Sequence, residues 1–182
     1  MKERYFSTFE LILLALFAAL IVVSKIALRL PLQMSGHSGI FWMAIMIVAS
    51  GVVPKAGAAS LVGLTSGLVA AFLGMGDLGA LNTFLSYTAV GVGTDLALVV
   101  LGRNPENPVV AMLAGAIGHF GKCLVKYAVA TLSGAPVGIV VLGLARGIVG
   151  YIIFGALGGL RGALTLKALR RAGFFAYRAE KK

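Results

Sequence analysis

Six stretches of apolar residues, each closed by proline, glycine or charge, restrict this chain to one class of fold. They run from about Phe9 to Leu28, Ile40 to Val53, Gly57 to Leu73, Leu78 to Leu101, Val109 to Leu132 and Val137 to Leu160. A hydrocarbon core about 30 Å thick is crossed by roughly 20 apolar residues in a helix. Lipid offers no hydrogen-bond partner to open backbone, so helix is the form such runs take. The second run is short for a full crossing. Six helices use up most of the 182 residues and leave no room for an ATPase or a soluble catalytic module. Composition agrees: 59% of residues are hydrophobic and 12% charged, against about 25% charged in soluble domains. A free-standing soluble domain is excluded, and disorder fails for want of polarity. The expectation is an all-α polytopic membrane protein, a compact bundle of six transmembrane helices over 1–160 with a basic cytoplasmic tail over 161–182.

The net charge of +10 would raise nucleic acid in a soluble protein; here its placement speaks for a membrane instead. Lys and Arg mark the cytoplasmic loops of membrane proteins. With the N-terminus inside, Lys2, Arg4, Lys55, Arg103 and the whole basic tail from Arg161 to Lys182 are cytoplasmic, while Lys25 and Arg29 alone lie outside. Both termini are therefore expected in the cytoplasm, with the tail along anionic headgroups. The first run has no small-residue cleavage site behind it and is expected to stay as a helix.

Catalytic and metal chemistry find little support in the sequence. Cys123 is the single cysteine, and two histidines with scattered acids give no metal-ligand spacing. No Walker motif is present, so the chain does not hydrolyse ATP by itself. Gly36-His37-Ser38-Gly39 has the form GxSG, but its serine falls in an outer loop rather than on a buried helix beside a histidine base. The expectation is a non-enzyme with no cofactor and no metal site.

An ionisable residue at membrane depth is expensive and marks a functional site by default. His119, Lys122 and Lys126 stand at i, i+3 and i+7 of the fifth run and share one helix face. At about 1.5 Å per residue, His119 falls near mid-membrane and the lysines in the outer half, where Arg146 of the sixth run reaches a similar depth. Asn82, Ser86 and Tyr87 open the fourth run at that same outer level. Like charges so placed repel unless something negative lies among them, and the intramembrane acid Asp95 sits too far toward the cytoplasmic end. The pattern points to a wet, outward-facing cavity for an anionic or strongly hydrogen-bonding solute. Plainer roles stand beside this one: Lys126 snorkelling to headgroups, Arg146 on backbone carbonyls near Gly147, His119 as a hydrogen-bonded core residue, and Asn82 with Ser86 as inter-helix links. Gly63/Gly67, Gly143/Gly147 and Gly155/Gly159 have the spacing that lets helices pack closely.

These features together resemble the substrate-binding S components of energy-coupling factor (ECF) transporters. The local match is Ala15 and Ala19 in the first run, an AxxxA pattern, and the stretch from Leu30-Pro31-Leu32 to Gly36-His37-Ser38-Gly39 resembles the first outer loop. The resemblance implies a prokaryotic plasma-membrane subunit that captures a vitamin or related micronutrient under a loop containing His37. It implies delivery inward with a transmembrane T component, docked through Ala15 and Ala19, and two ABC-type ATPases. The chain departs from the metal-transporting branch, which begins Met-x-His; Glu3 stands at that histidine's place. Two other readings stay open: a self-contained secondary transporter or channel using Asp95 as an ion site, and a membrane assembly subunit that only packs against partners.

Overall fold

The computed structural model describes residues 5–27, 35–76 and 78–174, and among these it is all-helical. The helices are α1 (Thr8–Ala27), α2 (Gly39–Val52), α3 (Ala58–Phe72), α4 (Gly79–Val100), α5 (Pro108–Leu132) and α6 (Val137–Arg171). The expected outer-loop residues Leu30-Pro31-Leu32, Arg29 and the end of the basic tail lie outside the described residues. Four helices, α1, α4, α5 and α6, are long and apolar enough to cross a membrane. With 14 and 15 residues, α2 and α3 reach only roughly 21–23 Å and fall short of a full crossing. The protein is a multi-pass membrane helical bundle.

Local chemistry sets the helix ends. Ser7 and Glu10 form a reciprocal capping box on α1: the Ser7 N–H donates to Glu10 Oε2 at 2.8 Å and the Glu10 N–H to Ser7 Oγ at 3.2 Å. Asn107 caps α5 by accepting from the Val109 N–H at 2.9 Å, with Pro108 at the first helical position, where a missing N–H costs nothing. The N-terminus of α3 is capped from another helix, since Asp95 Oδ2 on α4 accepts from the Ser60 N–H at 2.6 Å. The long α6 departs from expectation. It continues past Leu160 to Arg171, because Leu164, Leu166 and Leu169 carry the apolar spacing on beyond Arg161.

Small residues bring the helices together. On α6, Gly155 and Gly159 lie against the backbone of Gly115, Ala116, Ala111 and Met112 on α5, so that added Cβ atoms would collide with carbonyl oxygens. Gly63 and Gly67 of α3 press in the same way on Tyr87 and Gly91 of α4, and Gly143 and Gly147 receive the Tyr127 ring. Without a hydrophobic force between helices in lipid, such close packing supplies the attraction. The buried core runs through Ile21, Met43, Met46, Ile47, Val62, Val90, Leu98 and Leu166.

Two ion pairs fasten one end of the bundle. Lys55 Nζ, in the α2–α3 turn, lies 2.7 Å from Glu10 Oε2 and donates to the Tyr5 carbonyl at 2.8 Å. Arg170, near the end of α6, lies 2.6 Å from Glu106 in the α4–α5 turn. The polar cavity sits at the opposite end.

Candidate substrate cavity

At the end remote from those pairs, the end of α1, the Ser35–Ser38 turn, the α3–α4 turn and the adjoining halves of α4, α5 and α6 enclose a cavity of about 260 Å³. Water occupies roughly 30 Å³ per molecule in the liquid, so the space suits a small organic solute rather than a bare ion alone. Its lining includes His37, Asn82, Ser86, Tyr87, Lys122 and Lys126, six residues expected from sequence, brought together from three separate segments. It also includes Lys25, Ser35, Gly36, Ser38, Met75, Gly76, Thr83 and Tyr151.

Three ammonium groups therefore face one small volume. Lys25 Nζ donates to the Met75 carbonyl at 2.8 Å and stands 5.2 Å from the Tyr87 ring centre. Lys122 Nζ stands 4.9 Å from the Trp42 ring centre and 5.6 Å from that of Tyr87. Trp42 and Tyr87 are themselves stacked, 5.4 Å apart. An aromatic face attracts a cation through its quadrupole, the more so where water is scarce, so the Trp42–Tyr87 pair holds the lysine head over the cavity wall. Ser86 Oγ reaches Asn82 Oδ1 at 3.5 Å, which keeps both polar groups on the cavity face of α4. Among the described lining residues none is a carboxylate; Asp77, next in sequence to Gly76, lies outside the described residues.

Two expected residues are not brought to the cavity. His119 is fully buried one turn below Lys122; its Nδ1 donates to the Tyr151 carbonyl at 2.9 Å, and its ring packs on Trp42 and Tyr151. The shared helix face is real, but the Ser35–Gly39 segment seals the imidazole off, with Gly36 and Gly39 closing directly on its Cε1. Arg146 is exposed on α6 and absent from the lining. Depth alone placed it with the lysines; rotation about α6 turns Gly143 and Gly147, not Arg146, toward α5.

Ala15 and Ala19 lie on the outer face of α1, both exposed beside Leu11, Ile12, Leu16 and Leu20. Asp95 is 6% exposed and engaged at the α3 N-terminus, far along α4 from Asn82.

Lys25 and Tyr151 are among the lining side chains that the sequence does not point to, with Ser35, Ser38, Met75 and Thr83. Lys25 read as a loop charge at the end of an apolar run, and nothing in the sequence shows α1 leaning over Tyr87. Tyr151 lies mid-run in an apolar helix, where only tertiary packing separates a cavity wall from a lipid face.

Residues 8–121 match the family model described as the permease component of an ABC-type cobalt transport system. No curated protein and no solved structure matches the chain. The matched stretch takes in α1 to α4 and α5 as far as Gly121, stopping one residue before Lys122.

Proposed function

The chain belongs to the family of ABC-type cobalt transport permease components, and from that premise we propose that it is the substrate-capturing S component of an ECF-type importer. In this role it binds a small organic solute in the cavity at the outer end of the bundle. It then releases the solute inward when docked, through the Ala15/Ala19 face of α1, on a transmembrane T component driven by two ABC-type ATPases. Both termini are cytoplasmic in this arrangement, in a prokaryotic plasma membrane. The end fastened by Glu10–Lys55 and Glu106–Arg170 then faces inward, as the excess of Lys and Arg there favours.

The observation that carries the reading is the convergence of Lys25, Lys122 and Lys126 with Asn82, Ser86 and His37 on one cavity. The family's description names cobalt, yet this donor set does not fit a divalent cobalt ion as cargo. Such an ion takes imidazole, thiolate or carboxylate ligands, whereas the described lining offers one imidazole and three ammonium groups that repel it. A polar organic solute, anionic or rich in hydrogen-bond acceptors, matches the lysine, amide and hydroxyl donors. A vitamin or related micronutrient of that character is the proposed cargo.

The test is co-purification. From native membranes the tagged chain should bring down ABC-type ATPases and a second membrane subunit. Uptake by the chain alone in proteoliposomes, without ATPases, would instead assign a self-contained transporter.

A further inference from the structure

His119 is not part of the cavity lining, yet two lining residues, Gly36 and Tyr151, pack on its ring. Its Nδ1 donates to the Tyr151 carbonyl at 2.9 Å, which places the ring proton on Nδ1, because a carbonyl oxygen only accepts. Its ring meets Trp42 edge-on at 5.1 Å and Tyr151 at 4.9 Å. Trp42 in turn stacks on Tyr87 and seats the Lys122 ammonium. On the remaining side, Cβ atoms built on Gly36 and Gly39 would meet the imidazole Cε1. Gly36 sits at φ +83°, in the left-handed region that glycine adopts without strain. One buried ring thus touches the loop segment, α2 and α6 from its own place on α5. Its Nε2 finds no partner among the described residues, so Nδ1–H···O is the single hydrogen bond that orients it.

We propose that His119 is a positioning residue: its Nδ1–H fixes Tyr151 and Trp42, and through Trp42 the Lys122–Tyr87 wall, in the binding geometry without reaching the solute. The proposal rests on the cavity's being the binding site, but its test needs neither solute nor partner subunits. It therefore stands or fails separately from the transport assignment. The two tyrosine walls come from helices that do not border one another in the chain, and the ring is the piece that sets their spacing. Removing the Nδ1–H frees Tyr151 from its tether and takes away the one hydrogen bond that orients the side chain at this place.

Two measurements on the purified full chain decide the matter. Trp42 is the sole tryptophan, so emission reports this one site. His119→Asn keeps an N–H where Nδ1 stood, whereas His119→Leu keeps bulk and loses the donor. Iodide serves as the probe, an anion that collects in a cationic cavity. The expected result is a shifted Trp42 emission and a loss of protection from iodide in His119→Leu, with wild-type emission and protection restored in His119→Asn. Identical behaviour of His119→Leu and wild type, or failure of His119→Asn to restore it, overturns the proposal. Should His119→Leu not fold, nitrogen NMR of the wild-type protein labelled at its two histidines still decides. The buried imidazole is expected as the Nδ1–H tautomer, and an Nε2–H tautomer overturns the assignment.

Discussion

The Lys122 ammonium stands 4.9 Å from the centre of the Trp42 ring, held over an aromatic face rather than reaching for headgroups. A cation–π contact of this kind contributes roughly 0.5–2 kcal/mol depending on how dry it is. That is enough to fix the head of a flexible side chain at the cavity wall. On the proposed reading the lysine is preorganised for a solute, and the ordering entropy is met before binding.

Replacing Lys122 with Met keeps the stem and removes the charge. A charged hydrogen bond contributes about 1.5–3 kcal/mol, so solute affinity should fall about tenfold or more. Calorimetric titration with the solute released from the wild-type protein measures it. Arg146→Gln should bind with wild-type affinity, since that side chain is exposed and outside the cavity; equal losses in both variants would relocate the site.

Asp95 tests the rival view of an ion-coupled carrier. Its Oδ2 holds the Ser60 N–H, a task that an amide oxygen performs as well as a carboxylate. Asp95→Asn is therefore expected to keep uptake, while Asp95→Leu leaves a helix N–H unsatisfied at a cost of about 1–3 kcal/mol. Thermal unfolding in detergent separates the two. Loss of uptake in Asp95→Asn at unchanged stability would favour the ion-coupled carrier.

Ala15→Trp and Ala19→Trp add bulk to an exposed face of α1 that the cavity does not use. Solute binding and melting temperature should be unchanged and uptake in cells lost, because a large side chain holds a docking helix away. Uptake at the wild-type rate would remove this face from the coupling assignment.

The α5–α6 seam gives a stability prediction. A Cβ on Gly159 meets the Ala111 carbonyl, backbone that cannot swing aside. Gly159→Val should destabilise by about 1–3 kcal/mol or more, read as a lower unfolding midpoint by Trp42 fluorescence. Gly138→Val, at a position with open space around it, serves as the control.

Much of this architecture is legible in the residues alone. Proline, glycine and charge interrupt the apolar runs, and α2, α3, α4 and α5 each end within one residue of the run ends read from the sequence. The end of α6 is the exception, because Arg161 interrupts the apolar run without ending the helix. Yet Leu164, Leu166 and Leu169 continue the helical period, and Arg161 lies over the Phe41 ring at 5.1 Å. For the cavity, spacing along α5 puts Lys122 and Lys126 on the face that lines it, and the register of α4 does the same for Asn82 and Ser86. Rotation of α6 about its own axis was beyond reach, which is why Arg146 was misplaced. So was the descent of the Gly36–Gly39 segment onto His119, which depends on glycines meeting a ring 80 residues later in the chain.

Native mass spectrometry of the full chain purified from its own membranes tests the central claim most directly. A small organic adduct is expected on the wild-type protein, absent from Lys122→Met and retained by Arg146→Gln. A wild-type protein that carries bound cobalt instead, or an organic adduct indifferent to Lys122, would contradict the assignment of this cavity.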